Sequence, residues 1–501
     1  MCYPCKTPND PCWPSTLEWS SLNETVSGRL IKTKPPGSVC YPTESDYNLS
    51  ACNNILENWT TSVFHSSNPS SVSDLVYSNS SCSPIYPNGT NVSGDPDAEV
   101  EGGSMGNLSP YVVNAMEASH VQAALEFAHR RNWRLNIKDT GHNPEKRIWT
   151  HFMKGCKFHE SFKPQTCGGL EGHMAATVGA GIQDGELFQF LAQNDAIADV
   201  GVVGWATGGG HGLATAEYGM GADNIIEAVL VTPHGEAVTT NACQNKDLYW
   251  AIRGGGGGTF GVILSVTVRA YPMLSITRVD IDISARNGTS PKHWWILIAK
   301  IHKELLYLQD AGLGGSCTTF SGPPFYFHDT LLQYNTSNAD SADESVKPLK
   351  GLLGYANESV ESTITTSWSS SWYDLIKLLP ATENVGTKRS IRASRLLPRR
   401  AIENTMGLAY ILEEIGPQQV PLDNGISNPS ISGTMTISKV QTDNALNPAW
   451  REAAVHFITS QQWNDTLPNS IAEGAIESMT YDKGYYLRQL APDSGAYYNE
   501  A

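Results

Sequence analysis

The sequence lacks any uninterrupted apolar run of the ~20 residues that a membrane-spanning helix requires. The closest approach, residues 293 to 308, is interrupted by charged or titratable side chains: His293, Lys300, His302, Lys303 and Glu304. This stretch predicts an amphipathic helix on a globular core rather than a membrane span. The first 15 residues also lack a basic segment followed by an apolar one, so no secretory signal is visible.

Basic residues are too few for a polyanion-binding surface. Lys and Arg total 34 against 50 Asp and Glu, which gives a net charge of -16. Such a surface repels phosphate backbones and anionic lipid headgroups, so nucleic acid is not expected as a partner. At 501 residues the chain is also too long for one ordinary core, and we expect two or three domains.

The two common phosphate-binding glycine motifs are missing or misplaced. No GxxxxGK[ST] loop occurs, and the formal GxGxxG match at residues 256 to 261 follows a helix-like segment and precedes a strand. A dinucleotide-binding Rossmann site requires the opposite order, with the helix N-terminus meeting the pyrophosphate. A Rossmann domain is therefore not expected.

The cysteines favour an oxidising compartment. The spacing of Cys2 and Cys5 resembles that of zinc ligands, but no second CxxC pair follows, so disulfides are favoured over zinc. Of eleven Asn-x-Ser/Thr sequons, seven precede residue 110, although an Asn- and Ser-rich chain also produces sequons by chance. We expect a glycoprotein of the secretory pathway. Six of the ten cysteines lie in the first 82 residues: Cys2, Cys5, Cys12, Cys40, Cys52 and Cys82.

The composition divides the chain into segments. Residues 1 to 106 form a Cys- and Asn-rich extension, dominated by turn formers. Residues 107 to 273 alternate helical and strand patterns, including a hairpin signal within residues 224 to 240. Residues 274 to 480 alternate like half-buried antiparallel strands with interspersed helices, a sheet that could roof a pocket. Residues 481 to 501 complete the chain.

Glycine clusters concentrate in the second segment. Glycine lets the backbone approach a ligand closely and lets successive N–H groups point at phosphate oxygens. Tight packing and turns are the better explanation of any single cluster, but four clusters interleaved with strands favour a large bound cofactor. The clusters comprise Gly141, the Gly179 and Gly181 pair, Gly208 to Gly212, and Gly254 to Gly258.

Several of these motifs, in this order, resemble the berberine-bridge-enzyme-like branch of the vanillyl-alcohol-oxidase flavoproteins, in particular its fungal secondary-metabolite members. They are IKDTGHN (137 to 143), TVGAGIQDGEL (177 to 187), VGVVGWATGGGHG (200 to 212), YGMGADN (218 to 224), TTNACQNKDLYWAIRGGGGGTFGV (239 to 262) and SRLLPR (394 to 399). The resemblance implies an α+β fold: an FAD-binding domain of the PCMH type with two subdomains, and a substrate domain whose antiparallel sheet is covered by helices.

The resemblance also implies where FAD is held. The histidine matching His142 is bonded to the flavin 8-methyl group in that family. Many members add a cysteinyl bond, but residues 195 to 199 contain no cysteine, so a single linkage is expected. No metal is implied. The expected cofactor-binding residues are Asp139, Thr140, Gly141, His142, Asn143, Gly208, Gly209, Gly210, Gly212 and Asp223.

The activity implied is oxidation of a small molecule, with hydride passing to flavin N5 and molecular oxygen as the electron acceptor. Fungal relatives serve secondary metabolism, including ergot-type alkaloid assembly. A secreted carbohydrate oxidase and a non-catalytic secreted glycoprotein are the alternatives. No catalytic residue is assigned. A general base has four candidates in the substrate domain: Tyr326, Tyr373, Glu413 and Glu414.

The sequence departs from the family pattern in two places. Only residues 144 to 147 separate Asn143 from the segment that begins at Ile148, where relatives have a longer glycine- and serine-rich loop. Relatives also continue past the position of Ala501 to complete the FAD domain. We therefore expect residues 481 to 501 to begin a return to that domain.

Removing N-glycans from the secreted protein should lower its apparent mass, because seven sequons lie before residue 110. Reduction should destabilise it, since losing a native disulfide costs ~2 to 5 kcal/mol. Gel mobility after N-glycosidase treatment and melting temperature with and without reductant test these points. An unchanged mass together with free thiols at all six N-terminal cysteines would contradict the expectation.

Overall fold

The computed structural model describes the chain from its N-terminal helices to the residues near its end. Described are residues 10, 12–73, 82–85, 90–93, 106, 108–133, 135–139, 148–198, 203–320, 324–377, 389–418, 425–436, 440–463, 467, 469–497 and 500. Three substantial sheets organise them, with four, five and seven strands.

The N-terminal segment supplies short elements to the first sheet. Helix α1 begins with a capping box between Ser15 and Glu18, which satisfies backbone N–H groups at the helix start. Strand β1 pairs antiparallel with β2 of the following segment. The elements are α1 (Thr16–Thr25), β1 (Leu30–Lys32), α2 (Leu49–Asn58), α3 (Ser62–Ser67) and β2 (Tyr111–Asn114).

The first sheet has the strand order β1-β2-β4-β3, in which β4 pairs in parallel with both β2 and β3. Helix α4 crosses between β2 and β3. It begins at Ala118 with Glu117 at the N-cap, and the Ser119 hydroxyl hydrogen-bonds the Glu117 carboxylate. The bounds are α4 (Ala118–His129), β3 (Ile137–Lys138) and β4 (Ile148–Trp149).

The second sheet is antiparallel, with the order β5-β6-β10-β8-β9. Its β8–β9 turn confirms the predicted hairpin, and Gly235 there has a φ of +85°. The strands are β5 (Cys156–Phe162), β6 (His173–Gly179), β8 (Ile225–Val231), β9 (Ala237–Asn241) and β10 (Val262–Arg269). Around them lie α5 (Asp184–Ala192), β7 (Ala196–Ile197), α6 (Val203–Thr207), α7 (Thr215–Tyr218), α8 (Gly221–Asn224), α9 (Lys246–Ala251) and β11 (Tyr271–Pro272).

The third sheet is antiparallel, with the order β15-β12-β14-β13-β17-β18-β16. Its strands are β12 (Ile276–Ala285), β13 (Leu313–Phe320), β14 (Tyr326–Tyr334), β15 (Val360–Ser369), β16 (Arg389–Pro398), β17 (Ser430–Met435) and β18 (Ala453–Trp463). The accompanying helices are α10 (Pro291–Asp310), α11 (Asp340–Ser345), α12 (Lys347–Tyr355), α13 (Trp372–Ile376), α14 (Arg399–Glu403), α15 (Thr405–Ile415), α16 (Asn469–Glu477) and α17 (Gly484–Leu490).

Helices cover one face of the seven-stranded sheet. Strand β12 sends Val279, Ile281 and Ile283 into the core that contains Trp294 of α10, and sends charged side chains to the opposite face. The alternation therefore separates an apolar, helix-covered face from a polar one. Two α+β subdomains plus this covered antiparallel sheet confirm the predicted fold class. The boundaries at residues 106, 273 and 480 stay predictions.

The N-terminal segment packs onto the FAD-type subdomains. Trp19 lies in the same core cluster as β2 and β10 and stacks on Tyr111, with ring centroids 4.0 Å apart. Lys138 of β3 is buried, and its Nζ donates to backbone carbonyl oxygens of the segment, including that of His65 at 2.6 Å. A buried ammonium group needs such acceptors because desolvation is costly.

Disulfides confirm the predicted oxidation of the chain. Cys40 and Cys52 are bonded, as are Cys167 and Cys243, and Cys12 also takes part in a disulfide. Cys2 and Cys5 lie outside the described residues. Within the described part of the chain, no helix is both long enough and apolar enough to cross a bilayer.

Folding stability should decrease as the pH falls, partly through His302 of α10. Burial between Phe327 and Phe457 lowers the pKa of His302 to about 4. The unfolded chain therefore takes up this proton first, and stability is lost between about pH 6.5 and 4, on the order of 2 to 3 kcal/mol. Urea unfolding at several pH values should show a weaker pH dependence in His302→Gln. The exposed His293→Gln variant on the same helix should retain the wild-type slope, and an equal slope in both variants would refute the assignment.

Candidate functional site

The turn after β3 is the first part of the candidate site. Asp139 follows this strand, and its Oδ1 is buried with no hydrogen-bond partner among the described residues. Burial, reinforced by Asp184, raises the pKa of the Asp139 carboxyl well above its usual range. A bound ligand could supply the hydrogen-bond partner that this buried oxygen lacks among the described residues. Four predicted cofactor-binding residues lie outside the described residues: Thr140, Gly141, His142 and Asn143.

A buried histidine lies beside this turn. His151 follows β4 and stacks on Trp149 with ring centroids 5.5 Å apart. Its Nδ1 has no hydrogen-bond partner in the described part of the chain, and burial lowers its pKa to about 4. The imidazole is therefore neutral at physiological pH. A Cβ at Gly181 would lie 2.1 Å from the His151 carbonyl oxygen, so glycine permits this close approach.

The glycine loop after α6 has a packing function of its own. Gly210 has a φ of +72°, and a Cβ there would lie 2.6 Å from the Trp205 ring. Gly209 and Gly210 accept backbone hydrogen bonds from Ala222 and Gly221 of α8. The loop is thus fixed against the start of α8. Of its predicted cofactor-binding members, Gly208, Gly209 and Gly210 are buried and Gly212 is half-buried.

A second glycine loop runs from Gly254 to Gly258 and converges on the first. The amides of Gly254 and Gly256 both donate to the Thr207 carbonyl oxygen, at 3.1 and 3.0 Å. A Cβ at Gly258 would lie 3.0 Å from Ile137 of β3, which places this loop next to the Asp139 turn. Gly257 and Gly258 are exposed, so their amides are accessible to a ligand.

Asp223, the remaining predicted cofactor-binding residue, is engaged by protein groups. Its carboxylate accepts two hydrogen bonds of 2.7 Å from Arg451 and one of 2.8 Å from Asn444, while the Met220 amide donates to it at 3.0 Å. The Asp223 side chain is 1% exposed. In the described structure Asp223 joins α8 to the segment before β18.

The seven-stranded sheet meets the glycine loop through histidines. His456 of β18 is fully buried, and its ring centroid lies 5.0 Å from that of His211 in the loop. Burial, with a contribution from His211, lowers the pKa of His456 to about 3. Because Val455 and Phe457 point into the helix-covered core, His456 marks the opposite face of the sheet.

That opposite face carries a hydrogen-bonded polar network. Directly paired residues share a face, and the backbone register across β18, β17, β13, β14 and β12 aligns His456 with Thr434, Thr330 and Asp280. The Thr330 hydroxyl donates to Asp280 at 2.8 Å. We call the hydrogen-bonded polar side chains of this face, which are half-buried except for the buried Thr330, the polar wall. Its members are Arg278, Asp280, Asp282, Tyr326, His328 and Thr330.

Of the four candidate bases, only Tyr326 belongs to the polar wall. Tyr326 hydrogen-bonds Asp282, and burial together with this carboxylate raises the pKa of Tyr326 to about 12, so it remains a donor. Although burial opposes it, hydrogen bonds from Tyr326 and His328 lower the pKa of Asp282. Glu413 and Glu414 belong to α15, a helix on the covered face, and Tyr373 of α13 contacts Lys377.

Comparison with known proteins identifies the class. Residues 109–241 match the family described as FAD binding domain. FAD-linked oxidoreductase ZEB1 of Gibberella zeae is 30% identical over 522 residues, covering 99% of this chain and 86% of that protein. VAO-type flavoprotein oxidase VAO615 of Thermothelomyces thermophilus is 30% identical, covering 93% of this chain and 80% of that protein.

Solved structures agree. The VAO-type flavoprotein MtVAO713 of Myceliophthora thermophila matches with a TM-score of 0.85 and 26% identity, over 99% of this chain and 90% of that one. Berberine bridge enzyme of Eschscholzia californica shares the fold, with a TM-score of 0.60 and 15% identity over 96% of this chain and 87% of that one.

The chain therefore belongs to the VAO-type FAD-linked oxidoreductases, which confirms the predicted family and the FAD-dependent oxidoreductase class. The described residues fit the cofactor. The loop that contains the exposed Gly257 and Gly258 lies against Ile137 of β3, two residues before Asp139, whose Oδ1 is orphaned. The first glycine loop meets the polar face of the sheet where His211 contacts His456. The Gly257 and Gly258 amides would be available to phosphate oxygens, and FAD, when bound, would supply the redox chemistry.

Arg451→Ala should strongly destabilise the protein. It leaves the Asp223 carboxylate buried without its cation, which costs about 3 to 5 kcal/mol. Chemical denaturation measures the loss. Arg399→Ala is the matched control, because Arg399 also pairs bidentately with Asp310, at 2.8 Å, but at the surface, where such a pair contributes about 1 kcal/mol or less. Equal losses in the two variants would show that burial of the Asp223 pair has no special importance.

Proposed function

We propose that the protein is an oxidase that binds FAD covalently through His142 and passes electrons from a polar small molecule to oxygen. The observation that carries the proposal is that the two glycine loops meet at Thr207, the second loop lies against β3, and the first loop meets the polar face of the seven-stranded sheet at His456. FAD bound there would accept a hydride from a substrate carbon, and oxygen would receive the two electrons with two protons, giving hydrogen peroxide.

The chemistry of the polar wall favours a hydroxyl- or amine-bearing substrate. Asp282 presents an ionised carboxylate whose pKa is lowered by Tyr326 and His328 despite partial burial. Tyr326 stays protonated, so the wall offers an acceptor beside a donor. Such paired groups could orient a substrate hydroxyl or amine by hydrogen bonding, whereas the lowered pKa makes Asp282 a weak base.

The relatives support the acceptor and the setting. One is named a flavoprotein oxidase, which supports oxygen as the electron acceptor. A place in fungal secondary metabolism is proposed from the motif resemblance. The disulfides Cys40–Cys52 and Cys167–Cys243 support passage through the secretory pathway. The second of these disulfides occupies two cysteines of this domain, while Cys156 on β5 is a free thiol. The proposal of a histidyl attachment therefore rests on the motif around His142 and not on elimination of the cysteines.

Acid precipitation of the purified protein tests the linkage. The pellet should stay yellow after washing, and digestion should yield a peptide spanning His142 with the mass of the flavin attached. His142→Ala should release the flavin into the supernatant. His159→Ala is the control, because His159 lies on β5 of the same domain and should leave the attachment intact. A flavin that washes away fully from the unmodified protein would refute the linkage but not the oxidoreductase class.

Oxygen reactivity requires a separate measurement. Protein reduced anaerobically with dithionite should recover its oxidised flavin spectrum within seconds of mixing with aerated buffer, and peroxide should form in a ratio of about one per flavin because two electrons are transferred. Slow recovery without peroxide would indicate a dehydrogenase that uses another acceptor. A colourless protein after reconstitution with FAD would instead refute the flavoenzyme reading.

A further inference from the structure

Three side chains from separate parts of the fold converge where the glycine loop, the polar face of the sheet and the chain end meet. His211 comes from the glycine loop, His456 from β18 and Glu500 from the C-terminal segment. His211 Nε2 lies 3.0 Å from Glu500 Oε2, and His456 Nδ1 lies 3.4 Å from the same oxygen. One potential ligand atom from each of the three residues lies within 4.8 Å of the other two.

The hydrogen bonding leaves this cluster incompletely satisfied. His456 is fully buried, and neither of its ring nitrogens has a hydrogen-bond partner among the described residues. The Nδ1 of His211 is likewise buried without one in the part of the chain that the structure describes. A buried imidazole with two unsatisfied nitrogens is costly, and a bound ligand would explain why the fold retains it.

Two of the three ligand-atom separations are close to those around a small divalent metal. Zinc binds histidine nitrogen and carboxylate oxygen at ~2.0 to 2.2 Å, which places neighbouring ligand atoms of a tetrahedron ~3.3 to 3.5 Å apart. The two measured separations, 3.0 and 3.4 Å, lie close to this range. Trp450 and Tyr497 surround the cluster, with ring centroids 5.5 and 5.1 Å from that of His211, and restrict solvent access.

We propose that His211, His456 and Glu500 bind a divalent transition-metal ion, with zinc as the expected occupant. Three protein ligands leave a fourth position for water. The ion would tie the C-terminal segment to both the glycine loop and the sheet. The proposal rests on these three side chains alone and does not depend on a flavin linkage at His142.

Metal binding can be measured without reference to enzyme activity. The full-length holoprotein is dialysed against EDTA, re-equilibrated with zinc chloride and desalted, and its zinc content is determined by mass spectrometry. We expect one zinc per chain and a higher melting temperature than for the chelated protein, because binding to the native state stabilises it. Glu500→Gln and His456→Gln should each weaken zinc binding by more than about tenfold.

A matched control and a second measurement make the result decisive. His328→Gln removes a histidine that also contacts a carboxylate, Asp282, on the same face of the sheet, and it should retain zinc. Crystals of the unmodified protein soaked in zinc chloride should show an anomalous peak between the three side chains, so the test survives if a variant does not fold. Zinc below about one tenth of an equivalent, equal binding by the variants, or no peak at the cluster would show that these residues form only a hydrogen-bonded unit.

Discussion

A buried ion pair between Asp223 and Arg451 joins the glycine-rich half of the molecule to the segment that leads into β18. Both carboxylate oxygens are used, and Asn444 and the Met220 amide complete the arrangement. Burying two charges is tolerated only with such complete hydrogen bonding. The pair therefore fixes α8, and through α8 the glycine loop, relative to the sheet that faces it.

The packing around this pair explains why glycine is required in the neighbouring loops. Leu446, two residues after Asn444, lies close to Gly254. A Cβ at Gly254 would lie only 2.5 Å from the Cα of Leu446. It also limits Gly209, where a Cβ would lie 2.9 Å from its side chain. The glycines thus serve a steric purpose as well as making amides accessible. At Gly257 and Gly258, which are exposed, the accessible amide is the more important property.

The seven-stranded sheet has an apolar face that packs against helices and a polar face that carries the hydrogen-bonding side chains. Core residues such as Ile281 and Phe457 pack under α10, while Asp282 and His456 lie on the other side of the same strands. This separation follows from the two-residue period of a strand. It lets the polar wall vary in chemistry without disturbing the core, which is consistent with one fold serving proteins of low sequence identity.

Local patterns already indicated much of the fold. The hairpin from β8 to β9 was predictable because a proline- and glycine-containing turn separates two β-branched runs, and β12 was predictable from its strict alternation. The alternating pattern at residues 316 to 327 does not reveal that two antiparallel strands, β13 and β14, share that region. Strands β16 and β18 were not predicted, because burial on both sides removes much of the alternation from a sequence such as that of β18.

The sequence by itself determined the family, the α+β class and the expectation of FAD, because the glycine motifs and their order are local features that a chain carries with it. The alternation of polar and apolar residues in TRVDID also indicated a polar face of the sheet, although it did not reveal which side chains hydrogen-bond to the aspartates. Only the tertiary structure decided that Asp223 pairs with Arg451, 228 residues away, and that His211 meets Glu500, 289 residues away. Such contacts depend on how whole sheets and loops are packed, and no short-range pattern encodes that geometry.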